Sequence, residues 1–430
     1  MNLIFSPWIP LFALVCMAIV ARFYQRSWLA PSAFAPLIWS IYILVPLSIA
    51  PAYKVSGLSV WIIVFLISCV QLGAMFGEKR GFLLESPADP KPRFSKKQIL
   101  LFVVFLSVIA TTGELYFAYT SLLENGMSLT LNALIAIGHL LSVDRYSGVQ
   151  EPTLVRLLVT WMYPAALLGG LIFKQGKSRV EKALSLCPIL PALLSGFFQS
   201  TKAPVLMVVC CWISAYFATQ IQHTQGLYKL FNRRLLALVT ALVISAAALF
   251  VLLDAIRVHQ YGDDLHVSAD WSRIEGSTIG YLSVFSDWLN HENIQPLGFG
   301  AYTFAGFFNS IGIHSRALGL YEDIVVLPGQ VDSNIYTAFR GLIQDFSLPG
   351  AALFCILFGV IGGVSYDGAC AGRTFGIVML SAYFAFLIWS PLASIAVYNG
   401  PLLGWMICSF IFRESPSFRE KAMLPAVSFS

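Results

Sequence analysis

Between Gly329 and Gly350 the chain packs Asp332, Asn334, Tyr336, Thr337, Arg340 and Asp345 into one polar block, and an apolar run from Ala351 to Gly363 follows at once. Polar groups at the mouth of a membrane helix are costly to place and usually serve a purpose. Asp332 or Ser333 can cap a helix that starts near Asn334. On that helix Asn334, Thr337, Gly341 and Asp345 share one face, and Tyr336, Arg340 and Gln344 share another. Pro349-Gly350 then marks the bend into the next span. The plainer alternative is a polar helix end satisfied by its own hydrogen bonds.

Other cations stand at the ends of apolar runs. Ser200-Thr201-Lys202 links two closely spaced spans in what must be a helical hairpin. Its lysine is a candidate anion site or a side chain that snorkels to the interface. Arg257 ends another span, beside Asp254 at i,i+3. Its guanidinium either offers a planar fork of donors to phosphate oxygens or pairs with that acid. Arg273-Ile274-Glu275 and Asp263-Asp264 read as solvated loop, and no ion is assigned to them. The histidines show neither H-x-x-x-H nor H-E-x-x-H spacing, and neither a Walker loop nor a Gly-x-Ser-x-Gly elbow occurs. A zinc hydrolase and an ATP-using enzyme are both disfavoured, and no metal or cofactor is expected.

The elements that must position these residues are membrane helices. Of 430 residues 57% are hydrophobic and only 11% charged, a balance that requires lipid as the solvent. Spans are predicted at 3–21, 29–50, 57–76, 98–119, 153–173, 183–199, 202–220, 235–254, 348–366, 376–396 and 399–412. The fold class is therefore an all-α polytopic integral membrane protein with about 11 transmembrane helices. The first run lacks a basic segment before it, which predicts a retained helix with its N-terminus outside. With that orientation the outer segments keep only Lys54, Arg145, Arg156, Lys202, Arg257, Arg273, Arg316 and Arg340 of the 27 cations. The asymmetry obeys the positive-inside rule. A net charge of +5 spread in this way is no nucleic-acid signature. The 8 cysteines lie in or beside apolar runs and read as small buried residues.

Three regions follow. Residues 1–254 hold eight spans and an outer loop at 121–152, where Leu129–Leu141 predicts an interfacial helix. Residues 255–347 form a large outer loop, and 348–430 hold the last three spans and an inner tail. In the large loop Tyr281, Leu282, Phe285, Trp288 and Leu289 recur at helical spacing. Phe299, Tyr302, Phe304, Phe307, Phe308 and Ile311 make a second aromatic stretch. Both predict amphipathic helices lying on the bilayer, without a β domain.

The run Ser333-Asn334-Ile335-Tyr336-Thr337, continued through Asp345-Phe346 to Gly350, resembles the bacterial oligosaccharide repeat-unit polymerases, the Wzy-type O-antigen polymerases. Their pattern is Asn-x-Tyr-Thr followed by Asp-Phe-Gly-x-x-Gly, and Ser347 stands here where a glycine is frequent. The Ser200-Thr201-Lys202 hairpin and the late outer loop are similar as well. The resemblance implies a GT-C-like, inverting glycosyltransferase in the bacterial inner membrane, with its N-terminus periplasmic and its C-terminus cytoplasmic. It would polymerise oligosaccharide repeat units carried on undecaprenyl pyrophosphate, among membrane lipids, with a chain-length regulator and a flippase as partners. Fixed cations would meet the charge that grows on the leaving pyrophosphate. Arg340 and Arg257 are the catalytic candidates for that task, with Lys202, Arg273 and Arg316 binding substrate. Asp345 is the first candidate for the base, ahead of Glu275 and His314, while Asn334, Tyr336 and Trp288 would bind sugar. An O-antigen ligase differs only in its acceptor. A lipid-linked glycan transporter or flippase would show inverted repeats and midplane charges.

Overall fold

The computed structural model describes residues 6–81, 94–130, 151–199, 201–224, 278–291, 296–313, 323–329 and 331–412, together with 133–134, 136–138, 140–141, 276 and 320–321. Helices dominate: α1 (Trp8–Gln25), α2 (Pro31–Ile49), α3 (Gly57–Gly81), α4 (Lys96–Glu124), α5 (Thr153–Val159), α6 (Met162–Phe173), α7 (Arg179–Leu184), α8 (Ile189–Phe198) and α9 (Ala203–Thr224). Then come α10 (Tyr281–His291), α11 (Ala305–Ser310), a hairpin of β1 (Val325–Leu327) and β2 (Val331–Ser333), α12 (Ala338–Cys370), α13 (Thr374–Trp389) and α14 (Asn399–Ile411). Among the described residues eight segments are long and apolar enough to cross a membrane, with α5–α6 and α7–α8 each counted as one. Helices α13 and α14 are apolar but shorter. The predicted span 235–254 lies outside the described residues.

Local signals place the ends. Ser95 caps α4 by accepting from the Gln98 amide, and the Gln98 side chain returns the bond to the Ser95 amide. Pro31 opens α2, where a missing N–H costs nothing. The next amide, Ser32, donates to the buried carboxylate of Glu78 at 3.1 Å, so an acid on α3 satisfies the start of α2.

Helices α3 and α12 form the tightest pair. A Cβ placed on Gly73, Gly77, Gly359 or Gly363 would come closer than 3.0 Å to backbone of the opposite helix. Two G-x-x-x-G steps, 73–77 and 359–363, therefore let the main chains touch, where dispersion between them drives association in lipid. Helix α12 is also bent. Ser347 holds φ 60° and ψ 172°, a conformation that belongs to glycine, and it divides the Ala338–Phe346 turns from the apolar shaft. The bend thus falls two residues before the Pro349-Gly350 step to which the sequence assigns it.

Two further expectations need correction. The helix does not begin near Asn334. Asp332 and Ser333 are paired to Val326 and Val325 in the hairpin, which turns through Pro328-Gly329 with Gly329 at φ 85°. Thr337 precedes the first helical residue, and the Ala338 amide donates to the Ser390 carbonyl at the end of α13. The hairpin also makes the 255–347 segment not wholly helical. Helix α10 exists as predicted, but its apolar face meets protein instead of headgroups. Ser283 Oγ donates to the Lys54 carbonyl at 3.1 Å, Ser286 lies 2.6 Å from Ser59, and Tyr281, Leu282, Phe285 and Trp288 are buried. Phe299, Phe307 and Ile311 of the second aromatic stretch remain exposed.

Gly359→Val should lower unfolding stability in detergent by about 3 kcal/mol or more, because the clash is with rigid backbone. An unchanged thermal midpoint would show that the seam is not close-packed. Ser347→Gly should raise stability by about 1 kcal/mol and Ser347→Val should lower it, since only the glycine adopts this φ without strain. The same thermal scan checks the order of the three proteins.

Candidate functional site

Arg340 lies in the first turn of α12 with 1% of its surface exposed. Its guanidinium carbon is 3.9 Å from the Tyr321 ring centroid, 3.9 Å from that of Tyr336 and 5.3 Å from that of Trp288. Three aromatic faces thus surround one cation, an arrangement whose attraction grows as water is removed. Trp288 is delivered by α10, Tyr336 by the chain between β2 and α12, and Tyr321 by the irregular chain before β1. Tyr321 is itself backed by Tyr302, stacked at 5.7 Å with a 14° interplanar angle.

Among the described residues one carboxylate meets this charge. Arg340 Nη2 donates to Asp323 Oδ2. Its Nε and Nη1 are buried and make no hydrogen bond. The Tyr321 hydroxyl and Thr337 Oγ1 are likewise buried without a partner. Leaving buried donors unmet costs about 1–3 kcal/mol each, so such a group is either strained or built for something else to occupy. Burial pushes the Tyr321 hydroxyl well above the ordinary phenol range and raises that of Tyr336, against the opposing pull of Arg340. Both remain protonated at neutral pH and can donate.

Asp345 is tied elsewhere. It is wholly buried, and its oxygens accept the Tyr302 amide at 3.1 Å and the Thr303 amide at 2.6 Å. The Gln344 and Asp345 carbonyls accept the Gly298 and Phe299 amides, both at 3.1 Å. The turn from 298 to 303 is therefore clamped on the end of the first α12 segment. Gly298 must lack a side chain, because a Cβ there would strike Asp345 Oδ1. Each oxygen accepts one amide and keeps a further lone pair, so these bonds leave Asp345 able to take a proton. As placed, it positions Tyr302, and through the ring stack Tyr321.

The structure brings together Trp288, Tyr336, Arg340 and, one layer behind, Asp345. Asn334 reaches the same cluster, but its amide donates to the Tyr321 carbonyl at 3.4 Å and so holds the cage. Lys202 opens α9 on the expected hairpin, where the Thr201 amide donates to the Gly196 carbonyl at 3.1 Å. Arg257, Arg273 and Arg316 lie outside the described residues, as do Glu275 and His314. Tyr321, Asp323 and Gly298 were not among the candidates from the sequence, and Tyr302 entered only as part of an interfacial aromatic stretch. The Gly298-Phe299-Gly300 step was a visible turn signal, but nothing local ties it to Asp345. Among the described residues no three His, Cys, Asp or Glu side chains gather as a metal-ligand set. Compared with protein-family models, curated proteins and solved structures, the chain matches none.

Asp345→Ala should release the 298–303 turn and cost about 2–4 kcal/mol, the price of two lost charge-assisted bonds and two stranded amides. Gly298→Ala should loosen the same turn by driving a methyl group against Asp345 Oδ1 while the carboxylate itself is kept. Faster hydrogen exchange at residues 298–303 in both variants is the expected result. Native protection in either would show that the clamp is dispensable.

Proposed function

We propose that this protein is an inverting, membrane-embedded glycosyltransferase that polymerises oligosaccharide repeat units carried on undecaprenyl pyrophosphate at the periplasmic face of a bacterial inner membrane. One observation carries the reading: a buried guanidinium, walled by three aromatic rings and with donors to spare, stands at the mouth of an apolar helix. A glycosyl pyrophosphate needs both parts. Its phosphate oxygens suit the fork of Arg340, and sugar rings pack on aromatic faces such as Trp288.

In the proposed reaction the hydroxyl of an incoming lipid-linked unit attacks the anomeric carbon of the growing glycan. The new C–O bond forms as the bond to the lipid pyrophosphate breaks, and the leaving group departs with the electron pair. The acceptor proton passes to a base. Arg340 meets the charge that grows on the leaving oxygen, and a fixed cation in a dry site does so without reorganisation. Lys202, Arg257, Arg273 and Arg316 would add positive charge along the same face. Asp345 is the first candidate for that base, and it also holds the turn behind Tyr321. Glu275 and His314 are alternative bases. In this reading the fixed cations make turnover metal-independent. The N-terminus is periplasmic and the C-terminus cytoplasmic, and a flippase and a chain-length regulator work beside the enzyme.

Arg340→Lys and Arg340→Gln should both cut turnover of a defined lipid-linked repeat unit by about 10²–10³-fold, because lysine keeps the charge but loses the fork. Products are sized by gel after incubation with the purified protein, with and without excess chelator. Undiminished chain growth by the lysine variant would sink the role given to Arg340.

A further inference from the structure

The Arg340–Asp323 pair is asymmetric. The arginine side chain is 2% exposed, whereas that of Asp323 is 62% exposed. A pair kept only for architecture buries both ends, because a lone buried charge is costly. Here the anion alone reaches solvent, so it can leave the contact and be rehydrated. The cation cannot follow it, since Tyr321 and Tyr336 lie within 3.9 Å of the guanidinium carbon.

The contact is also incomplete. Asp323 meets only Nη2, while Nε and Nη1 stay buried and unfilled. A guanidinium fork matched to one carboxylate is commonly filled by two parallel bonds. The two remaining nitrogens are donors that a ligand with more oxygens than a carboxylate would engage. Two long hydrogen bonds tie the chain that carries Asp323. The Tyr336 hydroxyl donates to the Asp323 carbonyl at 3.3 Å, and Asn334 donates to the Tyr321 carbonyl at 3.4 Å. Both lie at the long end of hydrogen bonding.

We propose that Asp323 is a built-in competitor, a resident counter-anion that occupies Arg340 in the resting protein and must swing out before phosphate oxygens enter. The inference rests on the reading of Arg340 as the pyrophosphate site. It adds regulation of that site: the arginine is kept neutralised, and the cage closed to monoanions, until a ligand of higher charge displaces the carboxylate. A ligand gains only by its differential interaction with the open state, so removing the competitor must tighten binding.

The test uses inorganic pyrophosphate, titrated calorimetrically into the purified full chain in lipid nanodiscs. Asp323→Asn, which keeps the shape and loses the charge, should bind about tenfold tighter than the unaltered protein. Asp323→Glu should restore the weaker affinity, and Arg340→Gln should abolish binding in either background. Equal affinity of the unaltered protein and Asp323→Asn, with binding still dependent on Arg340, overturns the competitor role and leaves the pyrophosphate site standing. Weaker binding by Asp323→Asn with a lowered thermal midpoint makes Asp323 an architectural residue and also overturns it. Absence of binding in both proteins removes the pyrophosphate reading and this inference with it.

Discussion

Main-chain contact between α3 and α12 is the constraint on which the rest of the molecule hangs. Lipid supplies no hydrophobic drive to press two apolar helices together, so their association depends on how closely they fit. Gly73, Gly77, Gly359 and Gly363 remove the side chains that would hold the helices apart. The shaft of α12 is thereby fixed, and its upper segment can only point where the Ser347 bend sends it. That segment bears Arg340 and Asp345. Helix α10 is seated on the start of α3 through Ser56, Ser59 and Ser286, so Trp288 is measured from the same reference helix. A single rigid pair thus sets both the cation and one of its aromatic walls.

The cage shows how a low-dielectric site is held open at a cost. Every aromatic ring around Arg340 excludes water that would otherwise satisfy its donors. The loss is only partly met by Asp323 and by the ring quadrupoles. What compensates is the network behind the rings: the Asp345 carboxylate on two amides, Asn334 on the Tyr321 carbonyl, and the stack of Tyr302 on Tyr321. The polar block is best understood as two layers. Arg340 and its rings form the face, and Asn334 and Asp345 form the support.

Much of the architecture was legible in the chain. The apolar runs, the α8–α9 hairpin at Lys202 and the helix at 281–291 could each be read locally, because hydropathy and helical period are properties of a short window. The G-x-x-x-G steps at 73–77 and 359–363 were also legible, although which helices they join was not. The β-hairpin was hidden because its strands span only three residues each, too few for alternation to show. The start of α12 was misjudged for a related reason. Ser333 looks like a cap, but strand pairing had already claimed its backbone.

By itself, then, the sequence determined the solvent this protein lives in, the helices that cross it, and the choice of arginine, tyrosine, asparagine and aspartate near position 340. Only the tertiary structure decided which of these groups meet one another. Asp345 finds its amides 43 and 42 residues upstream, and Arg340 finds its carboxylate 17 residues upstream, in irregular chain that no periodicity announces. The physical reason is the range of the interactions. Transfer to lipid is summed residue by residue along a helix, whereas the partner of a buried charge is set by distances of a few ångströms between segments that the chain itself keeps far apart.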